Sequence, residues 1–575
     1  MIRTTSGEDS IHIGIDLGTT YSSIAIYSEN EDKNDPIEVL EISNNEFSIP
    51  SWVMLLNRGN GIKTYQAGIL AKVSGGICLH DSKRLIGETV KHYNEQKSLL
   101  PSFTSFIVST ENDEIKMRVE DPLNPSQTES FYPIEVSAML LRAIYKILRQ
   151  RIGNKKIGKV VVTVPVSFTP KQKKETIQAC KMAGFENISL LYEPTASVIE
   201  FDREFHLKDN SKIVVIDCGG DTIDVTCCIF HKDKKRDKDS KIECIRNERD
   251  LSLGGNNFDD CLITIILDKI KQYIGDTEFQ RLFKVKTCDT KCVRKMKEKR
   301  MKKIRNIAED IKKSFSGNSH CSTIQLDSIT EKFEGEITIT SDEFESQCIK
   351  DKIFEKIEQC VKSVVDSANW KVGDVNYVLA IGGSCSNPFV RKSLSQIFGS
   401  DKVVGPYFNS YTCVVKGAAY RAHQLSMDNE DTVVEVMPYT LGLSVANNEF
   451  IVFARKGQQL PITFETVISY SGDDSRSIRN SIYKGEGKRI NEEGMELVTS
   501  VTIEELSPGF KKGEVKLIYK ITVNRSGLVE VEIFKKDTGK LLEKMIVFVN
   551  LGFDKDMLKK IQQHLEPYFR NSDKF

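Results

Sequence analysis

The sequence predicts an α/β region over residues 1–428, an all-β sandwich over 437–552 and a single closing helix over 553–575. Three observations predict it. Up to about residue 428, short β-branched runs alternate with stretches of helical length, as in layered strands and helices. From Leu441 to Asn550 the texture changes to short alternating segments, EFIVFA, TFETVISY, EVKLIYKITV, LVEVEIFK and KMIVFVN, parted by Gly, Asn and Pro turns. The third is a strand, turn and strand device that occurs twice, at 13–27 and at 212–230.

At 575 residues the chain exceeds what one core usually supports, so two to four domains are expected. Lys plus Arg and Asp plus Glu number 81 each, which gives no electrostatic footprint for nucleic acid or an anionic membrane. The start, MIRTTSGEDS, lacks an apolar signal core, and runs such as CLITIIL are too short to cross a bilayer. A cytoplasmic protein without nucleic-acid or membrane partners is the expectation. The 14 cysteines contain no Cys-x-x-Cys, which suits reduced, mostly buried thiols.

Taken in order, IGIDLGTTYSSIAIY is an apolar strand that ends in Asp16, turns through Gly18, Thr19 and Thr20, and alternates again. KVVVTVP (159–165) reads as a strand buried on both faces. A helix follows with Thr169 as N-cap, Pro170 in its first position and Gly184 as its stop, and NISLLYEP returns as a strand. KIVVIDCGGDTIDVTCCIF repeats the opening device with Asp217, Gly219, Gly220 and Thr222. HKDKKRDKDSK (231–241) is expected to be a charged hairpin tip. Residues 284–314 hold 13 Lys or Arg against 4 Asp or Glu, with Met296, Met301, Ile304 and Ile307 at roughly helical spacing. No aromatics interleave there, so an amphipathic helix with a solvated basic face is expected rather than a nucleic-acid surface. NYVLAIGGSCSNP carries a third glycine turn between a strand and a helix beginning near Pro388. An acidic linker with Val433, Val434 and Val436 spans 429–436, and DKDMLKKIQQHLEPYF is a final amphipathic helix with Asp554 as a possible cap.

The repeated turn points to phosphate. Glycine lets backbone N–H groups approach phosphate oxygens, and successive N–H groups form an anion nest. Thr19, Thr20 and Thr222 add hydroxyls, and Asp16 and Asp217, each at a strand end, offer hard oxygen ligands for Mg²⁺. Strand follows strand after the glycines, so neither the Walker loop nor the dinucleotide fingerprint applies. Gly382, Gly383 and Ser384 would cover an adenine or ribose. Three such turns in this order signal an actin-like ATPase, with duplicated ribonuclease-H-like lobes and a nucleotide held between them.

The chain resembles the 70-kilodalton heat-shock (DnaK-type) chaperone family through IGIDLGTTYS, DSKRLIG, FYPIEVSAMLL, VVTVPVSF, LYEPTAS, VIDCGGDTIDVT, LGGNNFD, AEDIKKSFS, AIGGS, KGAA and MPYTLGL. The resemblance implies an ATP-hydrolysing chaperone that uses ATP/ADP, Mg²⁺ and K⁺. By the family's pattern, Asp16 and Asp217 position metal and attacking water, Lys83 neutralises the γ-phosphate, Glu193 and Asp224 support the metal shell, and Thr222 orients the nucleophile's surroundings. Gly18, Thr19, Thr20, Tyr21, Gly219 and Gly220 would hold the phosphates. Glu309, Lys312, Ser316, Gly382, Gly383 and Ser384 would face the adenosine. Pro165 and the linker valines would relay nucleotide state. Implied partners are unfolded or nascent polypeptides, a J-domain co-chaperone and a nucleotide exchange factor.

The chain also departs from the pattern. Asp221 replaces a third glycine, which implies weaker ATP binding unless the carboxylate turns outward or joins the metal shell. Ser386 and Lys313 stand where the family carries arginines, the first of them stacked on the adenine. Asn480 falls where an apolar residue lines the peptide cleft, and NNEF (447–450) replaces a glycine-rich stretch of its arch. The closing helix reads as the vestige of a lid, so bound peptide is expected to leave faster. A regulatory or ribosome-associated co-chaperone with little turnover is the alternative, and a sugar kinase is a distant third because it leaves the β-domain unexplained.

Overall fold

The computed structural model describes residues 10–572 except 30–34, 43–45, 58–61, 75, 97–105, 111–113, 121–127, 233–239, 287–288, 318, 331–332, 406, 428–436, 438, 470–477, 504–515, 525–526, 528, 540 and 547–554. The linker 429–436, most of the charged tip, Cys288 and Asp554 therefore lie outside the described residues. The chain divides into two compact units. The first holds Met1–Ser211, Cys228–Asn247 and Thr412–Phe575, and the second holds Lys212–Cys227 and Glu248–Tyr411.

In the first unit, one sheet runs in the order Ile188–Tyr192, Ile157–Val164, Ile11–Asp16, Tyr21–Tyr27 and Ile37–Val39. The strand Ile11–Asp16 is parallel to Ile157–Val164, which sets Asp16 opposite Thr163, and antiparallel to Tyr21–Tyr27. Its apolar residues are buried on both faces, as a parallel neighbour requires. The helix Pro170–Ala183 begins where the residues dictate. Thr169 accepts from Gln172 N, the Gln172 side chain returns the bond, and Gly184 closes the helix at φ 105°. Behind the sheet, the helix Cys413–Ser426 comes so close that a Cβ on Gly14 would sit 2.3 Å from Ala419 N, and one on Gly417 1.9 Å from Ala196 O. Only glycine permits that approach.

The same unit contains two antiparallel sheets of four strands. One has the order Phe450–Ala454, Leu441–Ser444, Ile478–Lys484, Glu496–Ile503, and the other Ile462–Ser469, Lys516–Val523, Val529–Lys535, Leu541–Ile546. Leu441, Leu443, Phe453 and Ile482 from the first share a core with Tyr519, Ile521, Val531 and Ile533 from the second. Asn480 is 8% exposed, on the same side of its strand as Ile482. In the NNEF stretch, Asn447 and Asn448 adopt φ of 62° and 61°, the left-handed conformation that asparagine tolerates better than most residues. Tyr439 Oη donates to Phe168 O at 3.4 Å, tying this region to the turn after Pro165.

The last helix, Lys555–Ser572, is packed on the N-terminal part of the chain. Ile561, Leu565 and Tyr568 are buried in one cluster with Phe131, Ile134 and Ala138 of the N-terminal part. His564 joins Glu135 Oε1 at 2.7 Å and Glu129 Oε1 at 3.3 Å, and Tyr568 Oη donates to Glu129 at 2.7 Å.

In the second unit the sheet order is Ser240–Asp250, Ile223–Lys232, Ser211–Cys218 and Tyr377–Ile381, the outer part of the first two strands belonging to the first unit. Asp217 pairs in register with Ile381, so the glycines after each strand leave the sheet side by side. The basic stretch forms the helix Lys291–Ser316, but its buried stripe is Ile304, Ala308, Ile311 and Phe315. Met296 is half exposed, because successive steps of four, three and four residues from Ile304 define a face that it does not share. Described cysteines are free thiols, most of them buried. Among the described residues, no helix is long and apolar enough to cross a membrane.

Candidate active site

In the first unit the site is built from charged side chains. Gly18 follows Asp16 because a Cβ there would lie 2.0 Å from Tyr21 O. The turn is braced by Ser51 Oγ, which donates to Gly18 O at 2.8 Å, and by Gly18 N, which donates to Ser22 Oγ at 3.2 Å. The Thr20 hydroxyl is buried without a hydrogen-bond partner among the described residues. Lys72 Nζ donates to Tyr21 Oη at 2.9 Å.

Three predicted residues come together here. Lys83, in the short helix Ser82–Leu85, donates to Glu193 Oε1 at 2.6 Å, and both side chains are about nine-tenths buried. Glu193 opens the helix Glu193–Phe205, where the helix dipole favours an acid. Asp16 Oδ1 accepts from Thr163 Oγ1 at 2.9 Å. Burial pushes the Asp16 carboxyl up to about 6; Lys83 opposes that shift and Glu193 adds to it. The chain's own lysine thus leaves the negative charge of this cluster incompletely compensated, which suits a bound cation.

In the second unit the backbone makes the site. Gly219 N donates to Thr222 O at 3.0 Å, and the turn is pinned to the start of the helix Gly255–Ile274 by Gly255 N to Gly219 O, 2.9 Å, and Asn256 N to Gly220 O, 2.6 Å. A Cβ on Gly254 would come within 2.5 Å of Asp221 C, and one on Gly382 would meet Cys218 O at 2.5 Å and Asp217 Oδ1 at 2.7 Å. Gly382 also has φ 81°, open to glycine at no cost. Lys312 Nζ pairs with Asp259 Oδ1 at 2.7 Å and donates to Gly255 O at 3.1 Å, while Ser384 Oγ donates to Gly219 O at 2.8 Å. Asp217, Gly219, Gly220, Thr222, Lys312 and Gly382 to Ser384 therefore form one connected surface. Glu309 pairs with Lys313 at 3.1 Å, and Ser316 Oγ donates back to Lys312 O at 3.1 Å, so these two turn to their own helix.

Two features resolve or extend the sequence reading. Asp221 is buried and its carboxylate receives the Asn256 side-chain amide near the N-terminus of the helix Gly255–Ile274, a favourable place for negative charge. The carboxylate does not turn outward, the first alternative that the departure left open; it is held inside by Asn256. Asp224 pairs with Arg249 Nε at 3.3 Å, so a guanidinium sits on an acid read as part of a metal shell. Sequence reasoning passed over Arg249, Asn256, Asp259 and Thr163. The signal for the first lay in RNERDLSLGG, a charged run directly before a quoted motif.

Among the described residues no three His, Cys, Asp or Glu side chains are gathered as a ready metal site. That fits Mg²⁺, which keeps water and substrate phosphates as ligands and takes only one or two carboxylates. The unpartnered Thr20 hydroxyl, the raised Asp16 carboxyl and cradles that a Cβ would fill all fit a Mg²⁺-nucleotide.

A family model described as Hsp70 protein matches residues 12–574. Chaperone protein DnaK of Buchnera aphidicola subsp. Schizaphis graminum (strain Sg) is 26% identical over 571 residues, covering 98% of this chain and 82% of that protein.

Proposed function

The chain belongs to the Hsp70 family and is an ATP-dependent chaperone that hydrolyses ATP, and we propose that the residues described above divide that work as follows. Residues 1–428 form the actin-like ATPase, 437–552 the peptide-binding sandwich, 429–436 the linker between them and 553–575 a helix that docks on the ATPase. Lys83 binds the γ-phosphate, held in place by Glu193. Asp16 and Asp217 would orient the attacking water and, with Asp224, would hold Mg²⁺ directly or through its water. Thr222 shapes the water's surroundings. Gly18 to Tyr21 with Gly219 and Gly220 cradle the phosphates, and Lys312 and Gly382 to Ser384 take the adenosine, joined by Glu309 and Ser316 once these exchange their bonds to Lys313 and Lys312 O for the ligand. Bound Mg²⁺ would offset the negative charge of the phosphates, and K⁺ is a second candidate cation. Such a reaction needs position and charge with no covalent intermediate, which this donor set can provide.

The observation that carries the reading is the buried Lys83–Glu193 pair beside Asp16. A buried cation in contact with one acid and near another is costly unless it serves, and a triphosphate is the partner that would use it. We further propose unfolded or nascent polypeptides as clients, a J-domain co-chaperone and an exchange factor as partners, and the cytoplasm as the compartment. Asn480, buried on its strand, would disfavour an aliphatic client side chain in the pocket. Single-turnover hydrolysis with Mg²⁺ tests the scheme. The intact chain turns over ATP and Lys83→Ala does not; a silent intact chain that gains activity as Asp221→Gly would overturn it.

A further inference from the structure

The adenosine side of the site lacks the arginines of the family, and the structure shows what stands there. Lys313 is drawn to Glu309 at 3.1 Å with its side chain half exposed. Ser386 Oγ is hydrogen-bonded to Ser410 Oγ at 3.2 Å, and Gly382 N donates to Ser410 O at 3.2 Å. These two bonds lash the turn 408–411 to the glycine turn 382–386. The next residue, Tyr411, has its backbone fixed by Tyr411 N donating to Asn409 Oδ1 at 3.0 Å, yet its side chain is left 57% exposed. Its Cε1 lies 3.5 Å from the point a Cβ on Gly383 would occupy. Next to Gly383 in the chain, Ser384 joins the adenosine residues: Ser384 Oγ, Lys312 Nζ and Gly220 Cα all lie within 3.3 Å of the Cβ position of Gly255. An uncovered aromatic face thus borders the surface that carries the adenosine residues.

We propose that Tyr411 is the stacking platform for the adenine of bound ATP or ADP, a role that nothing in the family pattern gives to this position. The inference rests on the adenosine role assigned above to Lys312, Gly383 and Ser384. A phenol ring offers a flat π-face at the cost of fixing only two side-chain torsions, and its hydroxyl can stay in water while a base covers the ring. Neither Ser386 nor Lys313 presents such a plane. The absence of a side chain at Gly383 leaves the space into which the base slides.

Calorimetric titration of the full chain with ADP and Mg²⁺ tests this, with tripolyphosphate as a probe that has phosphates and no base. Tyr411→Ala is expected to weaken ADP about tenfold, as loss of a base–aromatic stack does. Tyr411→Phe should bind ADP as the intact chain does, and tripolyphosphate should bind all three alike. Tyr407→Ala is the control, since Tyr407 is 91% exposed four positions before Tyr411. If Tyr411→Ala leaves ADP affinity unchanged while Lys312→Ala weakens it, the platform is refuted and the adenosine reading stands. If neither change matters, the adenosine reading itself falls. Equal loss of ADP and tripolyphosphate in Tyr411→Ala would mean a damaged loop and would also refute the platform.

Discussion

The two units hold their candidate residues by different means. In the first, Lys83, Glu193 and Asp16 form a half-dry cluster of side-chain charges. In the second, glycine turns, a helix start and hydrogen bonds from Ser384 and Lys312 fix the surface, and its acids are already answered by Asn256, Arg249 and Lys312. Charge clusters respond strongly to loss of one member, because the remaining charge stays buried. Backbone cradles respond to added volume, because nothing in them can move aside.

The contrast predicts the size and kind of mutant effects. Lys83→Ala should have the largest, with turnover lowered by about a hundredfold or more and stability by about 3–5 kcal/mol from the stranded Glu193; paired Lys83→Ala and Glu193→Gln melting curves check the second figure, since the double variant should recover most of it. A stability unchanged in the single variant would break the comparison. Gly382→Ala comes next, with a Cβ 2.5 Å from Cys218 O in a left-handed conformation. It should cost about 1–3 kcal/mol and abolish nucleotide-dependent stabilisation in a thermal shift assay. Asn256→Ala should cost about 1–3 kcal/mol because the buried Asp221 carboxylate loses a partner, whereas Asn256→Ala with Asp221→Gly should be close to the intact chain; urea unfolding measures both.

The smallest effect is on pH, and it belongs to the first unit, where charge also holds the last helix. His564 is raised from 6.5 to about 9, first by its hydrogen bonds to Glu129 and Glu135. Its stabilisation is therefore complete below pH 6.5 and fades as pH rises through about 9. Glu129 is lowered from 4.5 to about 2; burial opposes that shift, and hydrogen bonds from His564, Lys63 and Tyr568 outweigh it. Its stabilisation is complete above pH 4.5 and is lost as pH falls through about 2. The melting temperature of His564→Ala should thus fall below that of the intact chain most between pH 4.5 and 6.5, and the gap should close near pH 10. Partial exposure of His564 keeps the gap small. A gap that is constant with pH would mean that packing alone seats the helix.

Much of this was legible in the residues. Glycines, caps and strand ends announce themselves locally: Thr169 and Gly184 bound their helix as read, and both Asp-glycine turns follow strands as read. What escaped was pairing at a distance. Nothing near Asp221 names Asn256, 35 residues on, and nothing in DSKRLIG names Glu193, 110 residues away. The stripe on Lys291–Ser316 was misplaced because methionine is apolar whether or not a neighbour covers it; burial there follows the partner helix, which the local sequence does not specify.

The seating of Lys555–Ser572 also bears on how the protein is made. His564 meets Glu135 across 429 positions, and Ile561, Leu565 and Tyr568 complete a core that Phe131 and Ile134 begin. A ribosome delivers those residues in order, at about 5–20 per second. For about 20–85 seconds after Phe131 and Ile134 leave the tunnel, their apolar surface awaits a helix that has not yet been synthesised. The nascent chain therefore carries an uncovered patch at Phe131 and Ile134 until the helix Lys555–Ser572 emerges.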